Sequence, residues 1–182
     1  MAADQQVTSG GPVPSPWNLP NTITVVRILF APAFLVLMLV DAGADGSARW
    51  WAAALFIIGI STDGIDGHIA RSRNQVTDFG KLMDPIADKI LTGAALVGLS
   101  ILGELWWWVT ILILIREWGI TVMRLVLLKD RVIAASWAGK IKTIVQSVAI
   151  SCAMLPLWML WGDPVHVVNA VLMAAALILT LY

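Results

Sequence analysis

The chain has 182 residues, 59% hydrophobic and 13% charged, with a formal net charge of zero at neutral pH and a mean hydropathy of +0.83. Soluble domains carry about 25% charged residues, so the composition excludes an ordinary water-soluble protein and points to an all-α integral membrane protein. No pattern suited to nucleic acid is present, and none of a soluble nucleotide-binding fold.

Residues 1–16 are small, polar and proline-rich, without the basic start and short apolar core of a cleaved signal peptide. They read as a disordered cytoplasmic tail ahead of a single catalytic domain at 17–182. Apolar stretches follow at 22–40, 50–69, 86–103, 106–128, 138–161 and 164–182, several reaching the roughly 20 residues that cross a bilayer core. None alternates as a membrane strand does, so six transmembrane helices packed as one bundle are predicted. The connections holding Asp41, Asp45 and Arg49, then Glu104, then Asp163 are poor in Lys and Arg. Those between carry Arg71, Arg73 and Lys81, then Lys129, Arg131, Lys140 and Lys142, and Arg27 lies near the start of the first helix. The asymmetry predicts that both termini are cytoplasmic. Trp50, Trp51, Trp106, Trp107, Trp108, Trp158 and Trp161 fall at the ends assigned to the outside, with Trp17 and Trp137 at the other face, as interfacial belts require. Pro156 falls inside the fifth stretch and is expected to kink it. Cys152, the single cysteine, can form no internal disulfide and reads as a small core residue.

Charge is rare within the apolar stretches, yet Asp63, Asp66, Arg71, Asp84 and Asp88 gather at the junction of the second and third. Asp63 and Asp66 are three residues apart and Asp84 and Asp88 four apart, so on helices each pair shares a face, and a short loop folds the faces together. Carboxylates converging at a membrane interface repel one another and lose hydration, and protonation or bound cations relieve both. Oxygen-only ligands favour magnesium, manganese or calcium, and a pair of such ions about 3.5–4 Å apart can clamp the attacking and leaving oxygens of a phosphoryl-type displacement. Gly67 and Gly80 let a phosphate or base approach the backbone, and Arg71 can neutralise diphosphate oxygens bidentately. His68, with no second histidine nearby, reads as a surface residue.

The run from Asp63 to Asp88 resembles the signature D-x2-D-G-x2-A-R-x8-G-x3-D-x3-D of the CDP-alcohol phosphotransferases and matches every fixed position. The resemblance implies that Asp63, Asp66 and Asp84 hold two divalent cations, magnesium or manganese, with Asp88 beside them as general base. It implies that Gly67, Ala70, Arg71 and Gly80 line the CDP-binding part of the site. It also implies the family's six-helix membrane fold and a homodimer.

The segment from Asn18 to Arg27, the run Arg116-Glu117-Trp118, and the segment from Gly139 to Gln146 are similar to the bacterial branch of that family that uses glycerol 3-phosphate. CDP-diacylglycerol and glycerol 3-phosphate are therefore the expected substrates. The expected location is the bacterial cytoplasmic membrane, with the active site facing the cytoplasm. Arg116 lies roughly 12 Å past the Trp106–Trp108 belt, near the midplane, where an unpartnered cation costs about 2.5–3.5 kcal/mol. Its neighbour Glu117 points elsewhere on a helix and shares a face with Arg124, which leaves Arg116 free for a substrate phosphate. Lys142, Thr143 and Gln146 share a face early in the fifth helix, with Lys140 close by, and could bind the same phosphate; Lys140 and Lys142 could equally do no more than obey the positive-inside rule. Asn21, Thr24 and Arg27 form a polar stripe suited to the nucleotide, although Asn21 could instead cap its helix. The rival readings are a sister enzyme using inositol phosphate, serine or phosphatidylglycerol, and a divalent-cation carrier. Serine lacks the phosphate the cations await, and the acids cluster at one interface without lining a full crossing.

Overall fold

The computed structural model describes residues 19–44, 46–72, 77–127 and 137–182, and among these the structure is helical without strands. The helices are α1 (Leu19–Asp41), α2 (Ser47–Ser72), α3 (Asp78–Ile101), α4 (Trp107–Leu127), α5 (Trp137–Met154), the single turn α6 (Trp158–Trp161) and α7 (Pro164–Leu181). Length and composition suit two of them, Asn21–Asp41 and Pro164–Leu181, to crossing a membrane. A core helix of a soluble protein would be mostly enclosed, whereas only 28% and 22% of these two are buried. Their remaining surface presents Leu29, Val36, Val40, Val167, Val171 and Ile178 outward.

The α1–α2 connection turns tightly because Ala42 and Gly43 adopt positive φ values of 50° and 78°. The Asp41 carboxylate accepts the Gly46 N–H at 2.8 Å and closes that turn. α2 therefore returns antiparallel along α1, with the Phe34 and Phe56 rings edge to face at 5.8 Å. α3 then runs parallel to α1, since Thr24 meets Asp84 near their starts and a Cβ on Gly98 would lie 3.0 Å from Leu35 and Met38 near their ends. Gly59 lets α2 approach α3 in the same way, because a Cβ there would lie 3.0 Å from Leu91. Phe34, Met38, Phe56, Leu91, Leu96, Leu99, Ile113, Ile150 and Met154 fill the core that these approaches create.

Two boundaries differ from the sequence expectation. α3 begins at Asp78, well before the apolar stretch, because Thr77 caps it by accepting the Gly80 N–H at 3.0 Å. α5 ends at Met154 and is not kinked around Pro156: proline has no N–H to continue the ladder and disfavours helix at the residue before it. The carbonyls left over at that end are taken by a residue the sequence reading had placed in a connection. Arg49 is fully buried; its Nε donates to the Met154 carbonyl at 2.7 Å and its Nη2 to that of Ala153 at 3.0 Å. The same guanidinium grips both oxygens of Glu104, so one side chain ties α2, the α3–α4 connection and α5 together.

Candidate active site

This topology brings the starts of α1, α3 and α5 to the same end of the bundle as the ends of α2 and α4. The helical part of α2 carries Asp63, Asp66, Gly67, Ala70 and Arg71, whose side chains lie outside the described residues, as do those of Lys81 and Arg124. Asp84 and Asp88 sit one turn apart on α3, each partly buried. Thr24, buried on α1, donates its hydroxyl to Asp84 Oδ1 at 2.8 Å and so fixes the rotamer of a signature carboxylate. Among the described residues no group of three or more His, Cys, Asp or Glu side chains gathers as a metal site.

Asn21 reaches across from α1 to the start of α3. Its Nδ2 donates to Thr77 Oγ1 at 2.9 Å, and Thr77 is the cap of α3. Gly80 is the position that permits this, because a Cβ there would lie 2.8 Å from Asn21 Oδ1 and 3.3 Å from Thr77 Oγ1. Arg27, six residues beyond Asn21 on α1, is likewise buried.

Asp88 leads into a second group. Lys89 Nζ donates to Asp88 Oδ2 at 2.8 Å and meets Glu117 Oε2 at 2.6 Å. The other oxygen of Glu117 takes Lys142 of α5 and, at 3.1 Å, Arg116 Nη1. The expectation that Arg116 stands apart from its neighbour is therefore corrected: a guanidinium is long enough to turn back to the adjacent carboxylate, which is buried and draws cations to it. Lys142 and Gln146 are buried on one face of α5, and Gln146 Oε1 has no hydrogen-bond partner among the described residues. Lys140 and Thr143 are exposed; the Lys140 ammonium lies 5.3 Å from the centre of the Trp137 ring, and the Thr143 hydroxyl donates to the Gly139 carbonyl at 3.0 Å. Lys89 and Glu117 as a joined pair were missed from the sequence, where Glu117 was matched with Arg124 on its own helix. Lys89 is next to Asp88 in the chain and was the available signal.

A cavity of about 430 Å³ opens between α2, α3 and α5 and reaches Asp88. Ile57, Ile60, Ile144 and Val148 give it an apolar wall, and Ser61, Thr143, Ser147 and Ser151 add hydroxyls. An apolar channel ending on a carboxylate that is tied to clustered cations can accept a molecule with a lipid part and an anionic part.

Residues 17–182 match the family described as CDP-alcohol phosphatidyltransferase. The chain is 49% identical over 163 residues to a Mycobacterium tuberculosis protein named probable phosphatidylglycerophosphate synthase, a match covering 90% of this chain and 76% of that protein. It is 42% identical over 149 residues to the Bacillus subtilis CDP-diacylglycerol–glycerol-3-phosphate 3-phosphatidyltransferase, covering 76% of this chain and 77% of the relative. A Shigella flexneri protein of the same name is 34% identical over 176 residues, covering 91% and 90% of the two chains.

Proposed function

The chain belongs to the CDP-alcohol phosphatidyltransferase family, and from that premise we propose that it transfers the phosphatidyl group of CDP-diacylglycerol to sn-glycerol 3-phosphate, giving phosphatidylglycerol phosphate and CMP. The relatives' names carry the same activity. The observation that bears most weight is the union of the signature carboxylate Asp88 with Lys89, Glu117, the buried Lys142 and the half-buried Arg116 in one network. In the proposed reaction the carboxylate would serve the acceptor hydroxyl and the neighbouring cations its phosphate.

Asp84 and Asp88 offer only oxygen, a donor set that fits a hard dication, and with Asp63 and Asp66 they would hold two, magnesium or manganese. Bound there, the cations would supply positive charge to the diphosphate and to the leaving CMP. Asp88 would take the proton of the acceptor's 1-hydroxyl as that oxygen attacks the phosphorus next to diacylglycerol. Arg71, Gly67, Ala70 and Gly80 would border the CDP, with Asn21 and Thr24 holding the α3 start and Asp84 in register for it. The apolar cavity beside Asp88 would admit part of the diacylglycerol. Lys142, Arg116 and Gln146 would meet glycerol 3-phosphate, with Lys140, Thr143 and Arg124 toward its entrance.

We place the chain as a six-pass protein of the bacterial cytoplasmic membrane, both termini and the site on the cytoplasmic side, assembled as a homodimer. The outward apolar faces of α1 and α7 and the exposed Trp51, Trp106, Trp107, Trp108 and Trp161 support a lipid setting. Purified protein given CDP-diacylglycerol, glycerol 3-phosphate and magnesium should release CMP and a lipid with the mass of phosphatidylglycerol phosphate, and a chelator should stop both. Full turnover in excess chelator would remove the metal site. Cation flux in vesicles without lipid product would replace the enzyme with a carrier.

A further inference from the structure

Glu117 is the hub on which the cations of this end converge. It is buried, and its two oxygens are divided: Oε1 takes Lys142 and Arg116, while Oε2 takes Lys89, whose ammonium also holds Asp88. A buried cation without a counter-ion is strongly destabilising, so Lys142, which is buried and meets Glu117, needs this carboxylate whenever no other anion is present, whereas Lys89 also has Asp88. A carboxylate and a phosphomonoester offer ammonium and guanidinium groups the same kind of oxygen, the phosphomonoester with about −1.5 to −2 charge.

We propose that Glu117 is an internal stand-in for the acceptor's phosphate, a positioning residue that gives up Lys142 and Arg116 to an incoming phosphomonoester while keeping Lys89. The inference rests on the proposed acceptor chemistry and goes beyond it. The pocket is then selective because every ligand must displace an anion already bonded to its cations. A phosphomonoester replaces those bonds; an alcohol without phosphate leaves the cations paired with Glu117 and gains nothing from them. Because Lys89 bonds the other oxygen, Oε2, its contact with Asp88 does not depend on the bonds that Oε1 gives up.

The stand-in role predicts a gain on removing the charge, the opposite of what loss of a structural ion pair gives. Glu117→Gln keeps the side chain's size and deletes its competition for Lys142 and Arg116. Inorganic phosphate, measured by equilibrium dialysis against magnesium-loaded protein in detergent, should bind Glu117→Gln about tenfold more tightly than the parent, the factor that about 1.4 kcal/mol of lost competition gives. The gain should vanish when Lys142→Gln is added, and the KM for CDP-diacylglycerol should be unchanged. Glu117→Asp keeps the charge but withdraws it from Lys142, and should tighten phosphate binding in the same direction by less; it serves as the test if Glu117→Gln does not fold. Phosphate binding that is unchanged or weaker in the folded variant, or a gain that survives Lys142→Gln, overturns the assignment. If the parent consumes no glycerol 3-phosphate while the gain appears, the acceptor identity falls and Glu117 remains the stand-in for another phosphorylated ligand.

Discussion

Replacing Thr24 by Val deletes one hydroxyl from a site whose other members stay in place. Thr24 is 1% exposed and donates to Asp84 Oδ1 at 2.8 Å, so water does not substitute for the lost donor. A hydrogen bond to a charged group contributes about 1.5–3 kcal/mol, or roughly 10–150-fold in an equilibrium constant. Groups that orient metal-binding side chains change metal affinity by about 10–100-fold when removed, the same range reached independently. The half-saturating magnesium concentration for turnover, measured with both substrates saturating, should therefore rise by about 10–100-fold in Thr24→Val, with kcat recovered at high magnesium. Thr24→Ser should behave as the parent. A magnesium titration of Thr24→Val that superimposes on the parent's, or a loss of kcat that no magnesium restores, would refute the argument that Thr24 acts through Asp84.

Gly80→Ala places a Cβ 2.8 Å from Asn21 Oδ1 and should lower stability by about 1–3 kcal/mol in thermal unfolding. Gly119→Ala, where nothing lies within 4 Å, should not. Arg49→Met strips partners from Glu104 and from the carbonyls of Ala153 and Met154 and should destabilise by about 3 kcal/mol. Its kcat per folded molecule should be retained, because Arg49 lies about 21 Å along α2 from Asp63. Asp88→Asn should lose turnover far more than CDP-diacylglycerol binding, whereas Asp63→Asn and Asp84→Asn should lose both, as titrations of each variant with the lipid would show.

The relation of Asp84 to Asp88 was legible because it is local: a spacing of four on one helix puts both on one face, whatever the rest of the bundle does. The helical character of the apolar stretches was legible for the same reason. The start of α3 was not, since hydropathy cannot see a helix made of Asp78, Lys81 and Asp84 whose stability comes from the Thr77 cap and from Asn21 on a different helix. The end of α5 was half legible, as Pro156 marked a disturbance, but whether it kinks or terminates depends on whether the freed carbonyls find donors. Arg49 supplies them from about a hundred residues away. The misreading of Arg116 has the same origin. Helical periodicity gives the direction of a Cβ, while the tip of an arginine reaches several ångströms further and follows the nearest buried charge. Lys89 and Lys142 meet at Glu117 only because α3, α4 and α5 converge there, a tertiary fact with no trace in the spacing.

The most direct test of phosphatidyl transfer follows the attacking oxygen. Glycerol 3-phosphate carrying ¹⁸O in its 1-hydroxyl is given to the purified protein with CDP-diacylglycerol and magnesium, and both products are analysed by mass. If that oxygen attacks the phosphorus next to diacylglycerol, the lipid product carries the whole label and CMP carries none. Label in the nucleotide product, or a lipid product without label, would contradict the reaction assigned to this site.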